Sequence, residues 1–253
     1  MKYLVLDFET TGLDPTEHEP TQVAALLLDD SLRELAAFAT LIRPQRPETV
    51  TEEALAIQGR TLEDFTHAME PRQAFGMLAD YVGTLSELPV VVGHNIGFDL
   101  DFLRACEGRL GLEVPRRTDF IDTVHVARVH LQARELTADA RLETLTAYYG
   151  LPHEAHDALG DVRATAQVLS RFLAEAPELV ERARAGTLFP LLLDEAQKAL
   201  PGNSFLASCE GQYQLKGYLS PKQIAALVRI AHGLPRPGAR EDSVRLPVQT
   251  QET

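Results

Sequence analysis

Asp7 and Glu9 stand at the end of a short apolar run, Tyr3-Leu-Val-Leu-Asp-Phe-Glu9, just before Thr10-Thr11-Gly12. On a strand, residues two apart point to the same side of the sheet. Two carboxylates beside a buried strand repel each other and resist desolvation unless a cation neutralises them. Oxygen donors of this kind suit Mg²⁺ or Mn²⁺. A frayed strand end with both groups in water is the competing reading, and this pair alone leaves both open.

A second acidic group follows another apolar run. Pro89-Val-Val-Val92 leads into Gly93-His94-Asn95, and Phe98-Asp99-Leu-Asp-Phe-Leu103 reads as the opening of a helix. Phe102 and Leu103 lie three and four residues beyond Asp99 and face the core, so Asp99 is expected at the core's edge. Asp101 is expected on the surface. Pairing of Asp99 with the helix dipole is the plain structural alternative.

A third group is His153-Glu-Ala-His156-Asp-Ala-Leu-Gly-Asp161. With Asp157 as the N-cap of a helix, His156 and Asp161 take the N′ and N4 positions, which meet in space. An imidazole beside a carboxylate is a good general base near neutral pH. A capping Asp157 with surface neighbours is the alternative. His153 is read as a loop residue with no comparable partner.

These groups need elements to hold them. Lys2–Glu9, Val23–Leu28 and Ala37–Ile42 read as strands, with Asp29-Asp30-Ser31 as the turn of a hairpin. Residues 51–85 lean helical, residues 89–92 and Phe120-Ile121 read as short strands, and Phe98–Leu110, Arg141–Tyr149 and Asp157–Leu173 read as helices. A strand meander followed by strands alternating with helices predicts an α/β fold, a mixed sheet covered by helices. Beyond Pro177 the texture becomes helical. Ser220-Pro-Lys-Gln223 carries a capping box with Pro at the first helical position, and Gly233 supplies the stop. The expected organisation is a first domain over residues 1–175, a helical extension over 176–234 and a disordered tail over 235–253.

The chain has 253 residues, and its formal charge is −13. That charge is uneven. Through Glu175 there are 15 Lys and Arg against 29 Asp and Glu, and the remainder has 9 against 8. An acidic body argues against a general electrostatic grip on nucleic acid, but it leaves room for a local metal-holding site. Two cysteines, Cys106 and Cys209, exclude a disulfide framework and a cysteine zinc module. No basic and apolar leader opens the chain, so the expected location is cytoplasmic, with no membrane partner.

Together, Asp7-Phe-Glu9-Thr-Thr-Gly12, His94-Asn95 through Asp99, and His156 through Asp161 resemble the three motifs of the DEDDh 3′–5′ exonucleases. That family includes the proofreading epsilon subunit of bacterial DNA polymerase III and ribonuclease T. Gln58-Gly59-Arg60-Thr61 and Ile121-Asp122-Thr123 agree with it, and the likeness covers about Met1 to Leu173. The tyrosine variant of the family is excluded, because Asp157 occupies the position four before Asp161. Arg60 is a departure, standing where isoleucine is frequent.

The resemblance implies a ribonuclease H-like fold with a mixed five-stranded sheet. It implies that Asp7, Glu9, Asp99 and Asp161 hold two divalent ions, Mg²⁺ or Mn²⁺, with His156 as general base and Glu9 sharing in catalysis. Thr10, Thr11, Gly12 and Leu13 would contact a terminal nucleotide, with Asn95 and Phe98 beside it. The implied activity is release of nucleoside 5′-monophosphates from 3′ ends of single-stranded or frayed DNA. An enzyme trimming RNA 3′ ends is the rival reading, and a non-catalytic module docking on a DNA polymerase or repair partner is a third.

Overall fold

The structure, a computed structural model, describes residues 1–153 and 157–234. Five strands form one sheet: β1 (Tyr3–Thr10), β2 (Pro20–Leu28), β3 (Glu34–Leu41), β4 (Val90–Gly93) and β5 (Phe120–Asp122), in the order β3-β2-β1-β4-β5. The β1–β2 and β2–β3 pairs are antiparallel, while β1–β4 and β4–β5 are parallel. This is the mixed, helix-flanked α/β sheet that the sequence leads one to expect.

Helices α1 (Glu52–Gln58) and α2 (Pro71–Gly83) follow β3, and α3 (Ile96–Leu110) follows β4. After β5 come α4 (Thr123–His130), α5 (Leu142–Tyr149), α6 (Ala158–Glu175), α7 (Pro177–Arg184), α8 (Leu188–Ala199), α9 (Ser204–Lys216) and α10 (Pro221–His232). Among the described residues, no helix is long and apolar enough to cross a membrane.

Strand alternation divides the core. Tyr3 and Val5 join a cluster with residues of α4 to α7, including Val162 and Val168. Leu4, Leu6 and Phe8 join the opposite cluster with Phe75 of α2 and Phe102 of α3. Continuing that alternation puts Asp7 and Glu9 on the α6 side of the sheet.

The chain forms two compact units, the first ending at Pro190. That division lies further along the chain than the expected boundary after residue 175. In the second unit, Asn203 caps α9 and Gly217 ends it at φ 72°. Ser220 and Gln223 form the expected capping box on α10, which Gly233 ends in the left-handed conformation. The amides of Gln212 and Gln223 bond each other reciprocally at 3.1 Å and join the two helices. Cys106 and Cys209 are buried free thiols. The tail over 235–253 lies outside the described residues.

Candidate active site

Strand β1 outlasts its neighbour. It pairs with β4 only through Val5↔Val92, so its edge beyond that point has no strand partner on this side. The Phe8 N–H there donates to Asp99 Oδ1 at 2.8 Å. Asp99 is 3% exposed, as its place against Phe102 and Leu103 leads one to expect. A short β4 therefore makes room for a carboxylate in the plane of the sheet.

The turn before Asp99 is equally defined. Asn95 adopts φ 69°, a conformation that asparagine tolerates better than most residues. Asp122 at the end of β5 holds it there, accepting the Asn95 N–H at 3.0 Å and the Val124 N–H at 2.9 Å. The same carboxylate thus starts α4 and fixes the entry to α3.

On the α6 side, Asp157 is the N-cap. It accepts the Gly160 N–H at 3.2 Å and also a bond from the Gln22 amide at 3.1 Å. Gln22 lies directly across β2 from Glu9. The start of α6 is thereby tied to the strand pair, and Asp161, one turn on, faces β1. Oxygens of Asp7, Glu9 and Asp161 lie within 4.8 Å of one another, and all three residues are half-buried. Asp99 stands outside this tight group, although its charge acts on Asp7.

Burial, then the charges of Asp99, Asp161, Glu9 and Asp157, push the Asp7 carboxyl well above its usual range. Burial and the charges of Asp161 and Asp157 raise Glu9 to about 7, against an opposing pull from Arg60. Asp99 is raised by burial, although its bond from Phe8 opposes the shift. A group of carboxylates that resists ionisation when bare is one that a divalent cation would stabilise. The donor set, all oxygen, fits Mg²⁺ or Mn²⁺.

His153 corrects the reading of it as a partnerless loop residue. Its Nε2 lies 2.5 Å from Asp161 Oδ1, its Nδ1 lies 3.5 Å from Thr146 Oγ1, and its side chain is 7% exposed. His156, the expected general base, lies outside the described residues.

Beside the carboxylates is a pocket of about 580 Å³, lined by Glu9, Thr10, Gly12, Leu13 and Phe98 and by Thr51, Ala54, Ile57 and Gln58 of the α1 segment. Two expected contacts do not line it. Thr11 is fully buried, with its hydroxyl accepting the Glu19 N–H, because it anchors the turn from behind. Asn95 is exposed outside that lining, and its backbone N–H is committed to Asp122. A Cβ on Gly12 would sit 2.2 Å from the His18 ring, so any larger residue there would force that ring to shift.

Sequence reasoning overlooked the clamp on this turn. Thr51 caps α1 and donates its hydroxyl to Thr11 O at 3.1 Å. At the other end of α1, the Gln58 amide donates to Thr10 O at 2.8 Å and accepts from Thr21 Oγ1 at 2.9 Å. The signal was present in the threonine that precedes two glutamates at residues 51–53, a helix start placed just after a strand and its turn.

The profile of the RNase T family, described as exonuclease, matches residues 4–169. The chain belongs to that exonuclease family. Among this exonuclease domain's relatives, the PolC-type DNA polymerase III of Thermotoga petrophila is 36% identical over 173 residues, 68% of this chain and 12% of that one. A DNA polymerase III subunit epsilon-like protein of Rhodobacter capsulatus is 35% identical over 204 residues, 78% of this chain and 27% of that one. The chain thus spans well under a third of these relatives. Exonuclease I of Methylocaldum szegediense shares the fold at a TM-score of 0.63 and 25% identity, over 76% of this chain and 45% of that one.

Proposed function

We propose that the chain is a metal-dependent 3′–5′ exonuclease acting on single-stranded DNA or frayed duplex ends. The observation that carries this reading is the gathering of Asp7, Glu9 and Asp161 beside an open pocket in an exonuclease-family chain. DNA is favoured over RNA because the PolC-type and epsilon-like relatives, at 36% and 35% identity, carry the name of DNA polymerase III. The same names support a link to a DNA polymerase.

Asp7, Glu9 and Asp161 would hold divalent cations, with Asp99 contributing from the strand edge. Two such ions supply charge stabilisation for in-line displacement at phosphorus and activation of water. The residues of the chain do the rest. Leu13, Ile57 and Phe98 receive the terminal base, and the Thr10–Gly12 backbone approaches its sugar. His156 takes the proton of the attacking water. His153, bonded to Asp161, keeps that carboxylate turned toward Asp7 and Glu9.

The test is digestion of 5′-labelled single-stranded DNA and RNA with Mg²⁺, Mn²⁺ or EDTA. The expected result is stepwise shortening of DNA from its 3′ end with either metal and none in EDTA. Shortening of RNA alone would establish the ribonuclease reading instead. Intact strands under every condition would leave the docking reading.

A further inference from the structure

We propose that Arg60 positions the substrate strand: its guanidinium pairs with a phosphodiester of the strand seated between α1 and the carboxylates. The inference rests on the exonuclease reading and adds a residue that the family motifs do not supply.

The first argument is placement. Helix α1 ends at Gly59 in the left-handed conformation, φ 62°, and the Arg60 N–H returns to Leu55 O at 3.0 Å. Gln58, two residues before Arg60, is tied on both sides, to Thr10 O and to Thr21 Oγ1. Thr10 directly follows Glu9. The backbone that carries Arg60 is thus fixed relative to the acidic group and to the mouth of the pocket that Gln58 and Ile57 line.

The second argument is the state of the side chain. Arg46, Arg116, Arg117 and Arg184 all pair with carboxylates at 2.5–3.3 Å. Arg60 is half-buried, yet its guanidinium makes no hydrogen bond or ion pair with any described residue. Asp64, the acidic residue near it in sequence, is already engaged by the backbone N–H and hydroxyl of Thr61 at 2.7 and 3.1 Å. A guanidinium on a half-buried arginine, with no hydrogen-bond or ion-pair partner among the described residues, is a ready partner for a planar, bidentate anion.

The third argument is charge balance. The cleft lies in a strongly acidic molecule, and cations held by the carboxylates act at the reacting phosphate alone. The next phosphates of a bound strand would meet a negative surface. A cation on the pocket side offsets that repulsion where the strand enters. Arg60 follows by two residues Gln58, which lines the pocket and bonds Thr10 O, so its backbone stands at this border; its charge acts on Asp64 as well as on Glu9. Merely offsetting the Glu9 charge is the alternative role, and it has a different signature.

The experiment uses the full chain and a 5′-fluorescein dT oligonucleotide. Initial rates with Mn²⁺ are measured from 50 to 200 mM NaCl for wild type, Arg60→Ala, Arg60→Gln and Arg60→Lys. Loss of one phosphate contact on a single strand should make the slope of log(kcat/KM) against log[NaCl] shallower by about 0.7. Arg60→Ala and Arg60→Gln should show that change and a KM raised about tenfold, with kcat little altered. Arg60→Lys should keep the wild-type slope. An unchanged slope in Arg60→Ala overturns the proposal. So does a fall in kcat with a shifted half-saturating Mn²⁺ concentration, which would assign Arg60 to Glu9. Should wild type cut no strand, the exonuclease reading fails by itself. Anisotropy of the same oligonucleotide with Ca²⁺ then decides for Arg60: weaker binding with a shallower salt slope in Arg60→Ala sustains it. Equal binding, or none by wild type, overturns it.

Discussion

The acidic wall and the apolar wall of the cleft meet at the end of β1, yet they are built differently. Asp7, Glu9 and Asp161 project from a central strand and from the first turn of an 18-residue helix whose far side is packed into the core. Leu13 and Ile57 project from a turn and from the end of a seven-residue helix, and they are 83% and 57% exposed. Side-chain bonds to the backbone, from Thr51 and Gln58, hold that second wall. Chemistry at phosphorus needs oxygens placed within fractions of an ångström, so it sits on rigid elements. A grip on a terminal base needs only apolar area that a ligand can cover, so it sits on clamped loops. The comparison predicts that changes to the acidic wall alter turnover and changes to the apolar wall alter affinity.

Asp7→Asn tests the acidic wall most severely. It keeps the shape of the side chain and removes a charge that a cation would need. Outer-shell partners of a metal site are commonly worth 10- to 100-fold, so a direct ligand should cost more than about 100-fold in kcat. Circular dichroism and thermal melts should show an intact fold. Turnover within a few fold of wild type would remove Asp7 from the metal-holding set.

His153→Ala should come next, with kcat lowered about tenfold and KM little changed, because it loosens Asp161 without removing a carboxylate. Half-saturating Mn²⁺ should rise in this variant. An unchanged metal dependence would show that the 2.5 Å pairing with Asp161 has no part in holding the site.

His153 also shows where sequence ran out. The strands were legible because β1 and β4 are apolar runs ended by turn residues, and Asp157 announced its cap. Asp99 was placed at the core's edge by Phe102 and Leu103. Its bond to the Phe8 N–H depends on β4 being shorter than β1, which no local pattern reports. Helix α4 went unread because Thr-Val-His-Val-Ala-Arg-Val-His is short and rich in β-branched residues, and Asp122 as its cap was the local sign of a helix start. His153 lies beyond the end of α5, outside any helix or strand, where residue spacing fixes no direction. The apolar wall was half legible: Leu13 follows the turn, but Ile57 meets it only because Thr51 and Gln58 fold α1 back over β1.

Leu13→Ala and Ile57→Ala probe that second wall. Contacts with an unpaired base are worth about 1–3 kcal/mol for an aromatic platform, and an aliphatic one should fall at the low end. Each variant should raise KM on single-stranded DNA several-fold and leave kcat within about twofold. A fall in kcat equal to that from His153→Ala would mean that the two walls are not separable, and the comparison would break.

The smallest effect distinguishes the walls without any substrate. Burial and neighbouring carboxylates raise Glu9 from its ordinary 4.5 to about 7 in the folded, metal-free chain. Between those values the folded state binds more protons than the unfolded state, so stability must fall as pH rises through that window. Asp7, raised by burial and the same neighbours, acts in the same direction. In EDTA, the melting temperature should therefore drop by a few °C between pH 5 and 8. Mg²⁺ should reverse the drop, because a cation then takes the place of the bound protons. Asp7→Asn should flatten the pH dependence by removing one charge from the group, while Leu13→Ala and Ile57→Ala should leave its slope unchanged. Parallel pH slopes in wild type and Asp7→Asn would show that the carboxylates do not repel one another in the folded chain. The acidic wall would then need no cation to be stable, and the reason to place a metal there would fall with it.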